Sequence, residues 1–532
     1  MSGLYKSTPF FPAVSRRDLM RGTAALGATL ASGGILAGCG RAPVTTAGGP
    51  VGPPRRGGRL RVGMVGAGTN ESFDPSMTTS ALINVAMTCA VFDYLLYVAP
   101  DGRLQPMLAT SWSPDSSAEI WTFQLRQGVR WHDGSPFTAD DVVYSLKWMA
   151  QAGNGLSGTV AIVDVDHVKK TGPYTVSVPL TQANLLFPYS LSMSSIIKAG
   201  TTDFTKPIGT GPFIFSSLAP GDQSICRRNP DYWDTGKPYV DELNIFSLTD
   251  DTARLDALLS GEIDVMAQVP VAQAKSQLYG DIRLLRSPGT TAQCFYMAVD
   301  EPPFNDARVR QAMRLLVDRQ QMVDVAVLGY GEVANDLFGK GLPYYDAALP
   351  QRVRDVKQAK ALLAEAGHAA GLTLNLQTSA LAPGMVEAAT LFQQQARDAN
   401  VTINVTEVDP SAYFDPTRYY LKMPFAQSFW QGFYTLGDYY LESIVSGSSG
   451  DETHWNSKHS DDLIRSAISA PTAEAANAWA QVQAEQYEIG GYIWWANIDN
   501  LDAASNKVGG IVANRYLNLG MPTGLTEAFL VS

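Results

Sequence analysis

The stretch WTFQLRQGVRWHDGSPFTADDVVYSL (residues 121–146) sets out the grammar of a mixed fold. Trp121, Phe123 and Leu125 alternate with polar residues, which predicts a strand with one buried face. Gly128 and the pair Asp133-Gly134 supply turns on either side of a second short strand. A helix follows, because Thr138 and Asp141 have the spacing of a capping box and Val142, Leu146 and Met149 recur on one helical face.

The same alternation extends in both directions. RLRVGMV (residues 59–65) predicts the first strand. DDTARLDALLSGEIDV (residues 250–265) reads as a helix stopped by Gly261, followed by a strand over residues 262–265. FNDARVRQAMRLLVDRQQMV (residues 304–323) reads as one helix capped by Asn305 or Asp306, with Val309, Met313 and Leu316 on one face. VKQAKALLAEAGH (residues 356–368) is a further helix with Gly367 at its stop position. In residues 387–408 a helix passes into a strand in which Val401, Ile403 and Val405 alternate. Strands and helices interleave without an internal repeat, which argues for α/β domains.

A chain of 532 residues, 45% of them hydrophobic, can build two or three domains with buried cores. Its formal charge of -11 and the lack of a long basic run argue against a nucleic-acid partner. The N-terminus carries a processing signal: Arg16 and Arg17 form a twin-arginine pair, a short Gly- and Ala-rich apolar run follows, and Leu36-Ala37-Gly38-Cys39 ends it. The first of these resembles a Tat export signal and the last a bacterial lipobox, which implies lipidation at Cys39 and removal of residues 1–38. Residues 39–58, rich in Gly and Pro, read as a flexible tether able to span roughly 60 Å. Cys89, Cys226 and Cys294 then remain, an odd number that allows at most one disulfide within the chain and does not select the pair.

Catalytic chemistry finds no support. GMVGAG and IGTGPF lack the spacing of a nucleotide loop, and SGSSG is not a nucleophile elbow. His454 and His459 stand five apart without a metalloprotease context, and His132 lies in the hairpin motif. Asp133, Asp140 and Asp141 sit at turns and helix starts, where carboxylates satisfy backbone donors. No metal site, no cofactor and no enzymatic activity are therefore expected.

Read in order, PMLATSWSPD, the 121–146 stretch, IGTGPF, NPDYWDTGKPYVDEL, ARLDALLSGEIDV, EPPFNDARVRQAM and AKALLAEAG resemble the extracytoplasmic solute-binding proteins of peptide-type ABC importers, the oligopeptide- and dipeptide-binding family. The resemblance covers residues 59 to 500, and implies a periplasmic-binding-protein type II fold: a two-lobed Venus flytrap with an additional small domain. On that frame, residues 59–85, 205–288 and 500–532 make lobe I, 86–204 the small domain and 289–499 lobe II. It also implies a monomeric receptor, held at the outer face of the cytoplasmic membrane through Cys39, that delivers its cargo to ABC permease subunits; a sensor passing occupancy to another membrane protein is the alternative.

Peptide receptors of this family neutralise the ligand's α-amino group with an Asp in a segment resembling W-x-x-D-Y. The corresponding residues here are Trp430-Gln431-Gly432-Phe433-Tyr434, so Phe433 stands where the Asp would be. Leaving a buried ammonium unpaired costs roughly 3–5 kcal/mol, so the cargo is expected to present no peptide-like amine there. It would be a blocked peptide, or a sugar-like or aromatic solute, unless Asp438 or Glu442 supplies the charge. Trp430, Phe433 and Tyr434 form the expected pocket wall, with Gly432 allowing close approach. Thr69, Asn70 and Glu71, and Gln293, Cys294 and Phe295, are further candidate contacts.

Overall fold

The computed structural model describes residues 53–78, 81–278, 280–410, 412–415, 417–470 and 472–531. The Arg16-Arg17 pair, the 1–38 signal, Cys39 and most of the tether lie outside the described residues.

An eleven-stranded mixed sheet organises the chain. From one edge it runs Val401–Glu407, Leu372–Thr378, Phe425–Trp430, Ile282–Met297, Tyr492–Ser505, Val265–Met266, Arg59–Met64, Glu242–Ser247, Gln223–Arg228 and Phe213–Ala219, with Gly331–Val333 paired to Tyr492–Ser505 off this path. Two long antiparallel strands, Ile282–Met297 of 16 residues and Tyr492–Ser505 of 14, belong to both halves of the sheet. Their register breaks between Ser287 and Thr291. The cause is steric: a Cβ at Gly289 would lie 1.6 Å from the Ile498 carbonyl oxygen, so only glycine lets the backbones approach there.

The sheet alternation divides the cores. Phe295 and Met297 face one cluster with Ile493 and Trp495, whereas Cys294 and Tyr296 face another with Trp430, Tyr492 and Trp494. At the other half, Leu60, Val62, Leu243 and Ile245 pack on one face, and Leu255, Leu258, Met266 and Leu501 on the opposite one. The result is a two-lobed α/β architecture with helices on both faces of the sheet.

The strand Ile120–Leu125 pairs with Ala109–Pro114 and Thr175–Pro179 in a separate four-stranded antiparallel sheet. Thr138 and Asp141 form the reciprocal capping box that opens the helix Ala139–Met149. The second strand expected after Gly128 is reduced to one bridge between Arg130 and Pro136. There the His132 N–H donates to the Gly209 carbonyl of IGTGPF, so the backbone bonds a different partner before a ladder can extend.

Two more expectations are corrected. Residues 304–323 form not one helix but two, Ala307–Leu316 and Arg319–Ala326, because Val317 is extended and Asp318 caps the second. The break turns Arg319 inward, where it bonds Asp336 and the Trp494 carbonyl. The strand expected at 262–265 is only Val265–Met266, since the N–H groups of Glu262 and Ile263 still bond back to the Ala257 carbonyl.

Arg314, fully buried, closes the end of the helix Thr472–Ile489. Its guanidinium donates to the carbonyls of Gln486, Tyr487, Glu488, Gly490 and Tyr492, two of them at 2.9 Å. Three of these carbonyls belong to the last turn of that helix, and those of Gly490 and Tyr492 to the connection into the strand Tyr492–Ser505. Cys89, Cys226 and Cys294 are all buried and form no disulfide among the described residues, and burial pushes the thiols of Cys89 and Cys226 up to about 12.

Candidate functional site

The segment FWQGFYTLGDYY (residues 429–440) is the end of a strand, a turn and the start of a helix. Trp430 ends the strand Phe425–Trp430. Gly432 then adopts a φ of 83°, a left-handed conformation that a side chain disfavours, and a Cβ added there would meet nothing within 4 Å. The Gly432 backbone therefore faces open space. Thr435 caps the helix Leu436–Ser443 by accepting from the Asp438 N–H at 3.1 Å, and its hydroxyl donates to Asp438 Oδ2 at 2.8 Å.

An aromatic wall results. Phe433, half-buried, lies 5.8 Å from the Trp430 ring, 5.9 Å from Phe338 and 6.1 Å from Tyr439, centroid to centroid. Behind it Phe338 stacks on Tyr439 at 3.9 Å. Tyr434 meets Tyr516 at 5.1 Å, and Asp438 accepts from the Ser190 hydroxyl at 3.3 Å. The segment thus joins surfaces contributed by distant parts of the chain, residues 190 and 516 among them.

The carboxylate nearest the wall is hidden. Glu452, 1% exposed, accepts from Trp430 Nε1 at 2.9 Å, from the Ser428 hydroxyl at 2.6 Å and from the Tyr492 hydroxyl at 3.2 Å. Burial outweighs those hydrogen bonds and pushes its carboxyl up to about 7. Glu452 therefore fixes the plane of the Trp430 indole from behind. Gly450 helps, since a Cβ there would come within 2.6 Å of the Trp430 ring. Sequence reasoning missed Glu452: it sits in a loop without periodicity, and its role comes from Trp430, 22 positions away.

The other candidates scatter. Thr69 and Asn70 are exposed in the short helical turn Gly68–Asn70. Glu71 is 4% exposed and accepts from the N–H groups of Ala67 and Gly221 and from the Ser247 hydroxyl, a clamp within its own lobe. Gln293 is fully buried and donates to the Pro383 carbonyl, while its Oε1 has no hydrogen-bond partner among the described residues. Cys294 is enclosed, with its thiol toward the Ser428 carbonyl at 3.5 Å. Phe295 is core, 4.8 Å from Phe392 and 6.5 Å from Phe425, on the sheet face opposite Trp430.

With this geometry in place, residues 103–452 match the family model of the bacterial extracellular solute-binding proteins, family 5 Middle. The chain belongs to the family 5 solute-binding proteins. It is 28% identical over 443 residues to the periplasmic oligopeptide-binding protein OppA of Escherichia coli, covering 74% of this chain and 79% of OppA. Its fold is that of the ABC transporter substrate-binding protein CtaP from Listeria monocytogenes, with a TM-score of 0.79, 21% identity, and coverage of 90% of this chain and 100% of CtaP. DppA from Helicobacter pylori, solved with the peptide STSA, aligns with a TM-score of 0.74 and 20% identity, over 90% of this solute-binding protein and 99% of DppA. The two-lobed fold is accordingly that of the periplasmic binding proteins. Among the described residues, no helix of this solute-binding protein is long and apolar enough to cross a membrane.

Its buried acids make stability depend on pH in a defined direction. Burial raises the carboxyls of Asp93, Asp438, Asp451 and Asp502 to about 6 and that of Glu452 to about 7. Between their unfolded values, near 4, and these, the native state binds protons that the unfolded chain does not, so stability increases as pH falls. His132, lowered to about 4 by burial, acts oppositely below its ordinary value of 6.5. Five carboxyls against one imidazole decide the sign. The unfolding temperature is expected to rise from pH 8 to pH 5.5 and to rise less in Glu452→Gln; a falling temperature, or equal rises in both proteins, contradicts the assignment.

Proposed function

We propose that this solute-binding protein captures a solute outside the cytoplasmic membrane and delivers it to an ABC permease, with peptide-like cargo that presents no free amine at the Trp430–Tyr434 wall. Membership of the family and similarity to OppA support the receptor role. The observation that carries the cargo class is the wall itself: Phe433 offers an apolar face, the nearest carboxylate, Glu452, is spent on Trp430, Ser428 and Tyr492, and Asp438 is held by Thr435 and Ser190. Glu442, next to Gly450 behind the Trp430 ring, is exposed to solvent, so a cationic end group would find no buried counter-charge that is free in this wall, whereas aromatic and apolar groups find ring faces.

The same wall favours a second reading of the cargo, an amine-free aromatic or sugar-like solute, because ring faces stack on such groups equally well. Placement at the membrane's outer face through Cys39, after export by the twin-arginine route, completes the proposal as a monomer on a lipid anchor. Calorimetry with matched free and N-acetylated peptides tests it. The acetylated forms are expected to bind at least as tightly as the free ones; tight binding of the free-amine forms alone overturns the cargo class. Mass spectrometry of cargo released from the purified protein separates peptide-like from non-peptide solutes.

A further inference from the structure

A cavity of about 330 Å³ opens far along the chain from the aromatic wall. It lies where the end of the helix Leu82–Val91, the 229–241 loop and the helical turn Gly524–Glu527 meet, and no residue of 429–440 lines it. Its volume is within the range of small-molecule sites.

The chemistry of its lining is specific. Arg126 donates from Nε to the Met107 carbonyl at 2.9 Å, and its guanidinium lies 4.2 Å over the Trp233 ring. Backbone and indole thus fix the plane of the fork. Its two terminal nitrogens have no hydrogen-bond partner among the described residues, and they are not buried. The neighbouring carboxylate, Asp93, is already engaged by the Thr210 and Tyr232 hydroxyls and the Trp233 N–H, so it does not close the fork. A planar fork with free donors, held flat in a cavity, suits a carboxylate.

Elsewhere in the lining the charge is reversed. Lys237 is held between Glu527 at 2.5 Å and Asp234 at 3.0 Å, and those two acids retain exposures of 36% and 39%. Two acids around one lysine leave a net negative rim that suits an ammonium. We propose that this cavity is a second binding site, for an amino-acid-sized zwitterion, with its carboxylate on Arg126 and its ammonium toward Glu527 and Asp234. No residue of the 429–440 wall lines this site, although Cys89 and Tyr94 of its lining stand near Tyr434, and the proposal does not depend on what the wall carries.

Titration calorimetry of the purified protein with L-phenylalanine, phenylalanine amide and glycine tests it. Phenylalanine is expected to bind at least tenfold more tightly than its amide, since a bidentate carboxylate contact is lost in the latter. Arg126→Gln is expected to weaken phenylalanine binding at least tenfold, and Thr523→Trp, which fills the cavity from a half-buried lining position, to abolish it. Both variants should leave the binding of N-acetylated peptides at the Trp430–Tyr434 wall unchanged. If Arg126→Gln fails to fold, Thr523→Trp alone decides. Absence of binding at millimolar phenylalanine, equal binding of acid and amide, or unaltered binding in a folded variant overturns the proposal.

Discussion

Replacing Phe433 with aspartate is expected to raise the preference of the protein for a free-amine peptide over its N-acetylated counterpart by about 100-fold. A carboxylate at this position would stand beside Trp430 and Tyr434, in the half-buried place the ring now fills. An unpaired buried ammonium costs roughly 3–5 kcal/mol, and partial exposure of the wall reduces the recoverable share to about 2–3 kcal/mol. The substitution also removes ring contacts with Phe338 and Tyr439, so overall affinity for apolar cargo should fall. Phe433→Leu separates the two effects, because it loses the same contacts without adding charge. Calorimetry on both variants reads the result. Equal weakening of free and acetylated peptides in Phe433→Asp would place the amine end of the cargo elsewhere.

The second large effect concerns stability. Arg314→Met is expected to destabilise the protein by about 3–5 kcal/mol, as measured by urea unfolding, although methionine fills much of the same volume. Burial lowers the Arg314 guanidinium to about 9, so it remains charged near neutrality. Its worth lies in five charge-assisted bonds that tie the last turn of Thr472–Ile489 to the start of Tyr492–Ser505; four of the carbonyls, those of Gln486, Tyr487, Glu488 and Gly490, also accept from the Gly490 N–H, Arg352, Gln311 and Arg310. Methionine has no donor for them, and water cannot reach a site that is fully enclosed. Arg314→Lys should recover only a minor part, because an ammonium cannot span the fan of acceptors. A loss below about 1 kcal/mol for Arg314→Met would mean that the partners these carbonyls already have suffice without it.

The fold was largely legible in the sequence where the signals are local. The capping box of Thr138 and Asp141, the left-handed Gly261 and Gly367, and the alternation through Trp121, Phe123 and Leu125 all act within a few residues. The break at Val317 escaped, because it answers to Trp494 and Asp336, which the local pattern does not contain. The site was legible in part for the same reason. Trp430, Gly432, Phe433, Tyr434 and Asp438 share one short segment, and the structure keeps them together.

Gln293, Cys294 and Phe295 could not all share the wall's side of the sheet, since successive strand residues point to opposite faces. Only Cys294 lies on the Trp430 side, because Ala292 pairs with Trp430 and residues alternate from there. That constraint was available in the sequence once the pairing was known, and the pairing was not. Glu452 needed still more: a loop acid acquires its meaning only from the indole, hydroxyls and burial around it.

The long strands Ile282–Met297 and Tyr492–Ser505 also govern how the molecule can deform. Joined side by side, they act as a leaf spring between two plates. Sliding one plate along the other would shear the ladder and break its hydrogen bonds, whereas flexing out of the sheet plane leaves nearly all of them intact. Flexure is cheapest where the ladder is already interrupted, at residues 287–291, around the glycine that fits against Ile498. The compliance of the receptor is thereby concentrated beside the interruptions of this one ladder, and a side chain at 289, driven against the Ile498 carbonyl, would force the two strands apart there.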